Sequence, residues 1–265
     1  MTGSLELLVE GRIATIWLDR ADKRNAMSAA MWSALPGLVD AASKVPEVRV
    51  LVVRGRGEHF CAGADIAELG PALARDTEAL AYRTLNASAE AALAGVAMPA
   101  IAAIDGSCIG GGVQLALACD LRIATSRTRI GITAARLGIS FPAPSLERLV
   151  ATVGAAAARR LLMTSAILDA PAARALGLLD EVVEPDSLGD AVSAACDGLV
   201  AVSSVTQLAA KEMTAAVAEV GRVPAELAER WEALAASSGD LREGLAAFLE
   251  RRAPAFGPRP TPPTG

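Results

Sequence analysis

The sequence predicts a mixed α/β core followed by a helical C-terminal region. Three observations carry this expectation. Short β-branched and apolar runs alternate with helix signals through the first half of the chain. Beyond about Leu146 strand signals nearly vanish, apart from Glu181–Val183, and helical periodicity rich in Ala, Leu and Glu runs on to about Arg252. Finally, 265 residues of which 52% are hydrophobic and 21% charged can bury a sizeable core, too apolar for a disordered chain.

The elements follow in order. Leu5–Val9 and Arg12–Leu18 are β-branched runs joined at Glu10-Gly11, a hairpin signal. Ser28 is placed to cap a helix over Ala29–Ser43. Val48–Val53 is nearly continuous in apolar residues, as in a strand buried on both faces. An Ala-rich helix is expected over Asp76–Ala94, stopped by Met98-Pro99, with a strand over Ala100–Ile104. Asp105-Gly106 turns the chain. Gly110-Gly111-Gly112 opens a helix through about Ala118, and Leu121–Ala124 is the next strand. The stretch from Ala253 to Gly265 holds five of the 14 prolines and is expected to be a loose tail.

Composition excludes several functions. With 25 Lys and Arg against 30 Asp and Glu, the net charge of −5 argues against a nucleic-acid surface. Four Phe, three Trp and one Tyr offer no stacking platform. A single histidine, His59, excludes metal sites that need two, and no metal site is expected. The four cysteines, Cys61, Cys108, Cys119 and Cys196, have no C-x-x-C spacing and read as reduced, buried thiols. The start, MTGSLELLVEGR, lacks the pattern of a signal peptide, and no apolar run approaches the ~18 residues of a membrane span. A cytoplasmic protein with no membrane partner is the expectation.

Two glycine-containing segments stand out: Phe60–Ile66, FCAGADI, and Asp105–Gly112, DGSCIGGG. Each is expected to lie between a strand and a helix. The open N-terminus of a helix presents unpaired N–H groups and a positive dipole end, and small residues let a ligand approach the backbone. Two such ends facing one another would make a cup of donors for negative charge developing on an oxygen. Taken alone, Gly-Gly-Gly reads as a tight turn or close helix packing. It is not a dinucleotide fingerprint, because Leu115 breaks the G-x-G-x-x-G spacing, nor a P-loop, because no Gly-Lys-Ser/Thr follows.

In combination these segments resemble the crotonase family, also called the enoyl-CoA hydratase/isomerase superfamily. Asp22–Ser28, DKRNAMS, resembles its early R-N-A-L/M segment, and His59–Leu69, HFCAGADIAEL, its A-G-A-D segment. Asp105–Asp120, DGSCIGGGVQLALACD, resembles its N-G-x-x-x-G-G-G segment, and Glu243–Arg252, EGLAAFLERR, its closing E-G-x-x-A-F-x-x-K/R. The resemblance implies a spiral of β-β-α units with a helical C-terminal trimerisation region. It divides the chain into a core over 1–195, a helical region over 196–252 and a proline-rich tail over 253–265. It also implies an acyl-CoA or enoyl-CoA substrate, with coenzyme A entering only as part of that substrate and no further cofactor, a role in fatty-acid metabolism, and a homotrimer or dimer of trimers. By the same resemblance the N–H groups of Ala64 and Gly111 would form the oxyanion hole. Lys23, Arg24 and Ala26 would lie near the CoA phosphates and adenine. Ala62, Ala64, Asp65 and Ile66 would line the adenine and pantetheine path, with Phe248 and Arg251 completing the CoA site, often that of a neighbouring subunit.

The pattern breaks at the carboxylates. Hydratases of the family carry two glutamates; their positions match Gln114 and Ala134, and a third acidic position used by other members falls near Pro142. Glutamine can orient a water but cannot accept its proton at neutral pH. Among other ionisable residues, Glu68 and Glu147 read as exposed helix charges, while Asp65 and Arg136 are the remaining neighbours. His59 reads as a loop-packing residue, and Cys61 and Cys108 as small buried hydrophobes. The expected activity is therefore that of an enoyl-CoA hydratase/isomerase-like lyase or isomerase whose classical hydration is in doubt. The alternatives are a catalytically silent acyl-CoA-binding protein, or another reaction of the family such as decarboxylation.

Overall fold

The structure, a computed structural model, describes residues 4–73 and 76–260. Strands β1 (Ser4–Glu10) and β2 (Ile13–Asp19) form an antiparallel hairpin paired from Ser4↔Asp19 to Glu10↔Ile13, turning at Gly11, whose φ is 59°. The period of two in β2 buries Ala14, Ile16 and Leu18 on one face. Helix α1 (Ala29–Ser43) begins where expected, with the Ser28 hydroxyl accepting from Met31 N at 3.2 Å.

β3 (Val50–Gly55), β4 (Ala100–Ile104), β6 (Leu121–Thr125) and β9 (Glu181–Val183) then add in parallel to β2, giving a six-stranded sheet of order β1-β2-β3-β4-β6-β9. Both faces are covered. Leu51, Val53, Ala100, Ala102 and Ile104 face the main core with α1 and α3 (Asp76–Ala94). Their neighbours Val50, Val52, Ile101 and Ala103 pack with Leu188, Val192 and Cys196 of α7 (Leu188–Val200) on the other side. That two-sided burial is why Val48–Val53 reads as a continuous apolar run.

A second, three-stranded sheet joins β5 (Ser107–Ile109), β7 (Arg129–Gly131) and β8 (Ile167–Asp169) in the order β5-β7-β8. None of the three was expected, and β8 falls in the region read as helical. Strands of three residues are too short for an alternating pattern to emerge, and these lack the adjacent β-branched pair, Val182-Val183, that marks the equally short β9. Helices α2 (Ile66–Leu73), α4 (Gly111–Ala118), α5 (Ala143–Thr164, broken at Gly154) and α6 (Ala170–Ala175) complete the α/β part. The C-terminal helices are α8 (Ser204–Val220), α9 (Ala225–Ser238) and α10 (Asp240–Glu250). α8 and α9 share a small core of Val205, Leu208 and Trp231. α10 leaves Leu241, Leu245, Phe248 and Leu249 exposed, a stripe at helical spacing. Among the described residues no single helix is long and apolar enough to cross a bilayer.

The tail is not loose where it is described. The Arg259 guanidinium donates to the carbonyls of Val48 at 3.2 Å, Ala97 at 3.0 Å and Ser43 at 2.6 Å, while buried Arg49 donates to Val202 O at 2.9 Å and Gly257 O at 3.3 Å. Proline content removes backbone donors, but two arginines supply the bonds instead. Arg259→Ala strands three carbonyls and is expected to cost about 2–3 kcal/mol, lowering the melting temperature by about 4–10 °C in scanning calorimetry. An unchanged transition would show that the tail contributes nothing to stability. Residues 261–265 of the expected tail lie outside the described residues.

Candidate active site

The site forms where three segments are tied side by side. Asn25 is the knot. It is fully buried, with a left-handed φ of 56°, and its side chain accepts from Arg20 N at 2.9 Å and donates to Arg56 O at 2.9 Å and His59 O at 2.6 Å. The chain beyond it pairs with the A-G-A-D segment: Ala62 N donates to Arg24 O at 2.9 Å, Met27 N to Gly63 O at 2.7 Å and Asp65 N to Met27 O at 2.9 Å. On its other side that segment joins β5, through Cys61 N to Ser107 O and Ile109 N to Cys61 O, both 2.9 Å.

This pairing decides which N–H groups stay open. Met27 and Ala64 form an isolated parallel bridge in which Gly63 O and Asp65 N are bonded, and no described group accepts from Ala64 N. Ala64 therefore owes its free donor to an extended segment. It does not sit in a helix's first turn, as the sequence suggested; Asp65 caps α2 instead, accepting from Ala67 N at 2.9 Å. Gly111 N is open for the expected reason, as the first residue of α4 after Gly110, whose φ of 53° suits glycine. A Cβ on Gly111 would lie 3.4 Å from Ala64 N and 3.1 Å from Cζ2 of buried Trp32, so the two donors flank one small space backed by the indole. Gly112 fits more tightly than Gly111: its Cβ would lie 2.4 Å from Cys61 O.

Polar side chains gather beside this space. Gln114 lies one turn into α4 and is 6% exposed; its Oε1 accepts from Nδ2 of buried Asn86 on α3 at 2.9 Å. One turn before Asn86, the Tyr82 hydroxyl accepts from Trp32 Nε1 at 3.2 Å. Burial pushes the Tyr82 phenol up to about 12 against the pull of the Trp32 bond, so it stays a neutral hydroxyl. One turn after Asn86, Glu90 is 1% exposed, bonded by Ser145 Oγ at 2.7 Å and ion-paired with Arg148. Burial raises its pKa even against those partners. The sequence reading missed Asn25, Trp32, Tyr82, Asn86 and Glu90. For the last three a signal existed: polar or amphipathic residues at i, i+4 and i+8 of an Ala-rich helix.

Asp65 and Glu68, the acidic residues weighed from sequence that lie beside the cup segment, are both engaged. Asp65 pairs with Arg20 at 2.6 Å. Its partial burial works against ionisation, but Arg20 and the Ala67 N–H hold its pKa below the usual carboxylate range. Glu68 accepts from Ala29 N at 2.7 Å, and Glu147 is exposed on α5. Arg136 donates to Ser165 O at 2.9 Å. His59 Nδ1 accepts from Ser107 N at 3.1 Å, the loop-packing role expected of it. Cys61 is buried, its pKa raised to about 12 by desolvation, and burial raises Cys108 well above the ordinary thiol range, so neither is a thiolate.

Ala134 opens a short 3₁₀ turn (Ala134–Leu137) and packs half-buried on the core. Lys23 and Arg24 are exposed, Ala26 and Ala62 half-buried, and Ile66 56% exposed, all around the same paired loops. Phe248 and Arg251 are exposed on and just after α10, which packs on α9. Among the described residues no group of three or more His, Cys, Asp or Glu is placed to share a metal ion.

Fold and site together define a two-sheet α/β protein with paired, open backbone donors over a largely apolar floor. The family model described as enoyl-CoA hydratase/isomerase matches residues 9–259. The crotonyl-CoA hydratase of Syntrophomonas wolfei is 32% identical over 251 residues, covering 92% of this chain and 94% of that one. The mitochondrial methylglutaconyl-CoA hydratase of Mus musculus is 32% identical over 250 residues, 92% of this chain and 79% of that one. Among solved structures, an enoyl-CoA hydratase/carnithine racemase from Magnetospirillum magneticum superposes with a TM-score of 0.90 at 31% identity, covering 96% and 95% of the two chains. The chain belongs to the enoyl-CoA hydratase/isomerase family, the crotonase superfamily.

Proposed function

We propose that the protein binds an acyl-CoA thioester and polarises its carbonyl between the N–H groups of Ala64 and Gly111. The observation that carries this is the pair of open donors flanking one space, with no described acceptor for either. A thioester oxygen gains negative charge whenever the α-carbon becomes carbanionic or the carbonyl carbon is attacked, and each well-aimed donor is worth about 3–4 kcal/mol of barrier. Lys23 and Arg24 supply exposed cations for the CoA phosphates, Ala26, Ala62, Asp65 and Ile66 line its path, and Phe248 and Arg251 complete it from α10. The exposed stripe of α10 supports assembly with further copies as a trimer or hexamer, and a cytoplasmic location fits the reduced thiols.

Classical hydration is not the chemistry this site favours, because Gln114 and Ala134 occupy the family's carboxylate positions. Binding with polarisation, or a reaction that needs mainly enolate stabilisation, such as decarboxylation, suits it better. The test uses one preparation: bind crotonyl-CoA by calorimetry, follow its hydration spectrophotometrically, and record the spectrum of a bound conjugated enoyl-CoA. Binding with a red-shifted chromophore and slow hydration is expected. No binding would refute the proposal.

A further inference from the structure

The edge of the main sheet opposite the cup carries a second cavity. Arg12 leads into β2 and Arg49 into β3, whereas the A-G-A-D segment follows the far end of β3, where Phe60 O lies against Gly55. The length of that strand, about 20 Å, separates the two places. The cavity has a volume of about 330 Å³, within the range of small-molecule sites. Arg12, Arg49 and Asp197 line it, together with Val200 and Ala201 at the end of α7 and Phe256 of the tail.

Its cations lack partners of opposite charge. Arg49 is 4% exposed; its two terminal nitrogens donate to the carbonyls of Val202 and Gly257, and its buried Nε has no acceptor. Arg12 is exposed and its side chain pairs with no described residue. Arg259, bonded to three carbonyls, meets no described carboxylate either. Burial lowers the Arg49 pKa, Arg12 and Arg259 lower it further, and only Asp240 opposes them. Like charges thus share one lined space, which favours an anion inside it.

We propose that this cavity binds a short-chain monocarboxylate, its head held by Arg12 and Arg49 and its carbon chain against Val200, Ala201 and Phe256. The guanidinium fork matches a carboxylate. The charges on the wall and around Arg49 select a monoanion: three guanidiniums, Arg12, Arg49 and Arg259, against Asp197 and Asp240 leave one positive charge to neutralise. A phosphate dianion would overshoot that charge and leave the apolar wall uncovered. The site is separate from the thioester cup and does not depend on it.

The experiment is calorimetric titration of the full chain with sodium hexanoate, 1-hexanol and inorganic phosphate. Hexanoate is expected to bind at least tenfold more tightly than either of the others. Arg12→Gln removes a side chain that has no partner in the fold, so it keeps the wild-type melting temperature; it should weaken hexanoate about tenfold or more, the worth of one charge-assisted hydrogen bond. Ala201→Glu, at an exposed position on the same wall, sets a carboxylate against the ligand's head and should weaken it by at least as much. No saturable hexanoate binding overturns the inference. So does hexanol or phosphate binding as tightly as hexanoate, or a hexanoate affinity that either variant leaves unchanged.

Discussion

Replacing Gly112 by alanine is expected to lower the melting temperature by about 6–12 °C and to weaken thioester binding at least tenfold. The added Cβ would stand 2.4 Å from Cys61 O and 3.0 Å from Cys61 Cβ. Cys61 cannot step aside cheaply. Its N–H and carbonyl both bond β5, and its neighbours Ala62 and Gly63 bond Arg24 and Met27. The clash is with backbone held on two sides, so the cost belongs at the upper end of overpacking, about 3 kcal/mol or more. Relief requires α4 to move away from the A-G-A-D segment, which separates the Gly111 and Ala64 donors. Calorimetry and acyl-CoA titration on the same variant read both effects. A stable variant that binds normally would mean that the two segments are not rigidly coupled.

The second large effect runs the other way. Gln114→Glu combined with Ala134→Glu is expected to raise crotonyl-CoA hydration by about 10²–10⁴, the usual worth of general acid–base groups. The structure is prepared for the first change, since Asn86 Nδ2 already donates toward position 114 and would do so to a carboxylate. Ala134 is half-buried at the start of its turn, so a longer side chain there has a route toward solvent or site. Steady-state hydration assays on the wild type, both single variants and the double variant would show whether the two carboxylates act together. No gain, in a double variant that still red-shifts a bound enoyl chromophore, would mean that more than proton transfer has been lost.

Much of the architecture was legible beforehand because it is local. The Ser28 cap, the β1–β2 turn at Gly11, the limits of α3 and the entry to α4 each depend on residues within a few positions of one another. β5, β7 and β8 were not legible, since three residues carry no period and none of the three has a β-branched pair like the Val182-Val183 that marks β9. The tail was misread because proline content says nothing of Arg49 and Arg259, whose partners lie more than 150 positions away.

The same division runs through the site. By itself the sequence determined the fold class, the family, and the absence of glutamate at positions 114 and 134, because these are matters of residue identity and order. Only the tertiary structure decided that Ala64 N–H is open, that Asn25 ties the loops, that Glu90 is spent on Arg148, and that Asn86 donates to Gln114. Those contacts join residues 28 to 58 positions apart. Whether a polar atom is free or taken depends on the partner that folding brings to it, and neither periodicity nor composition records that partner.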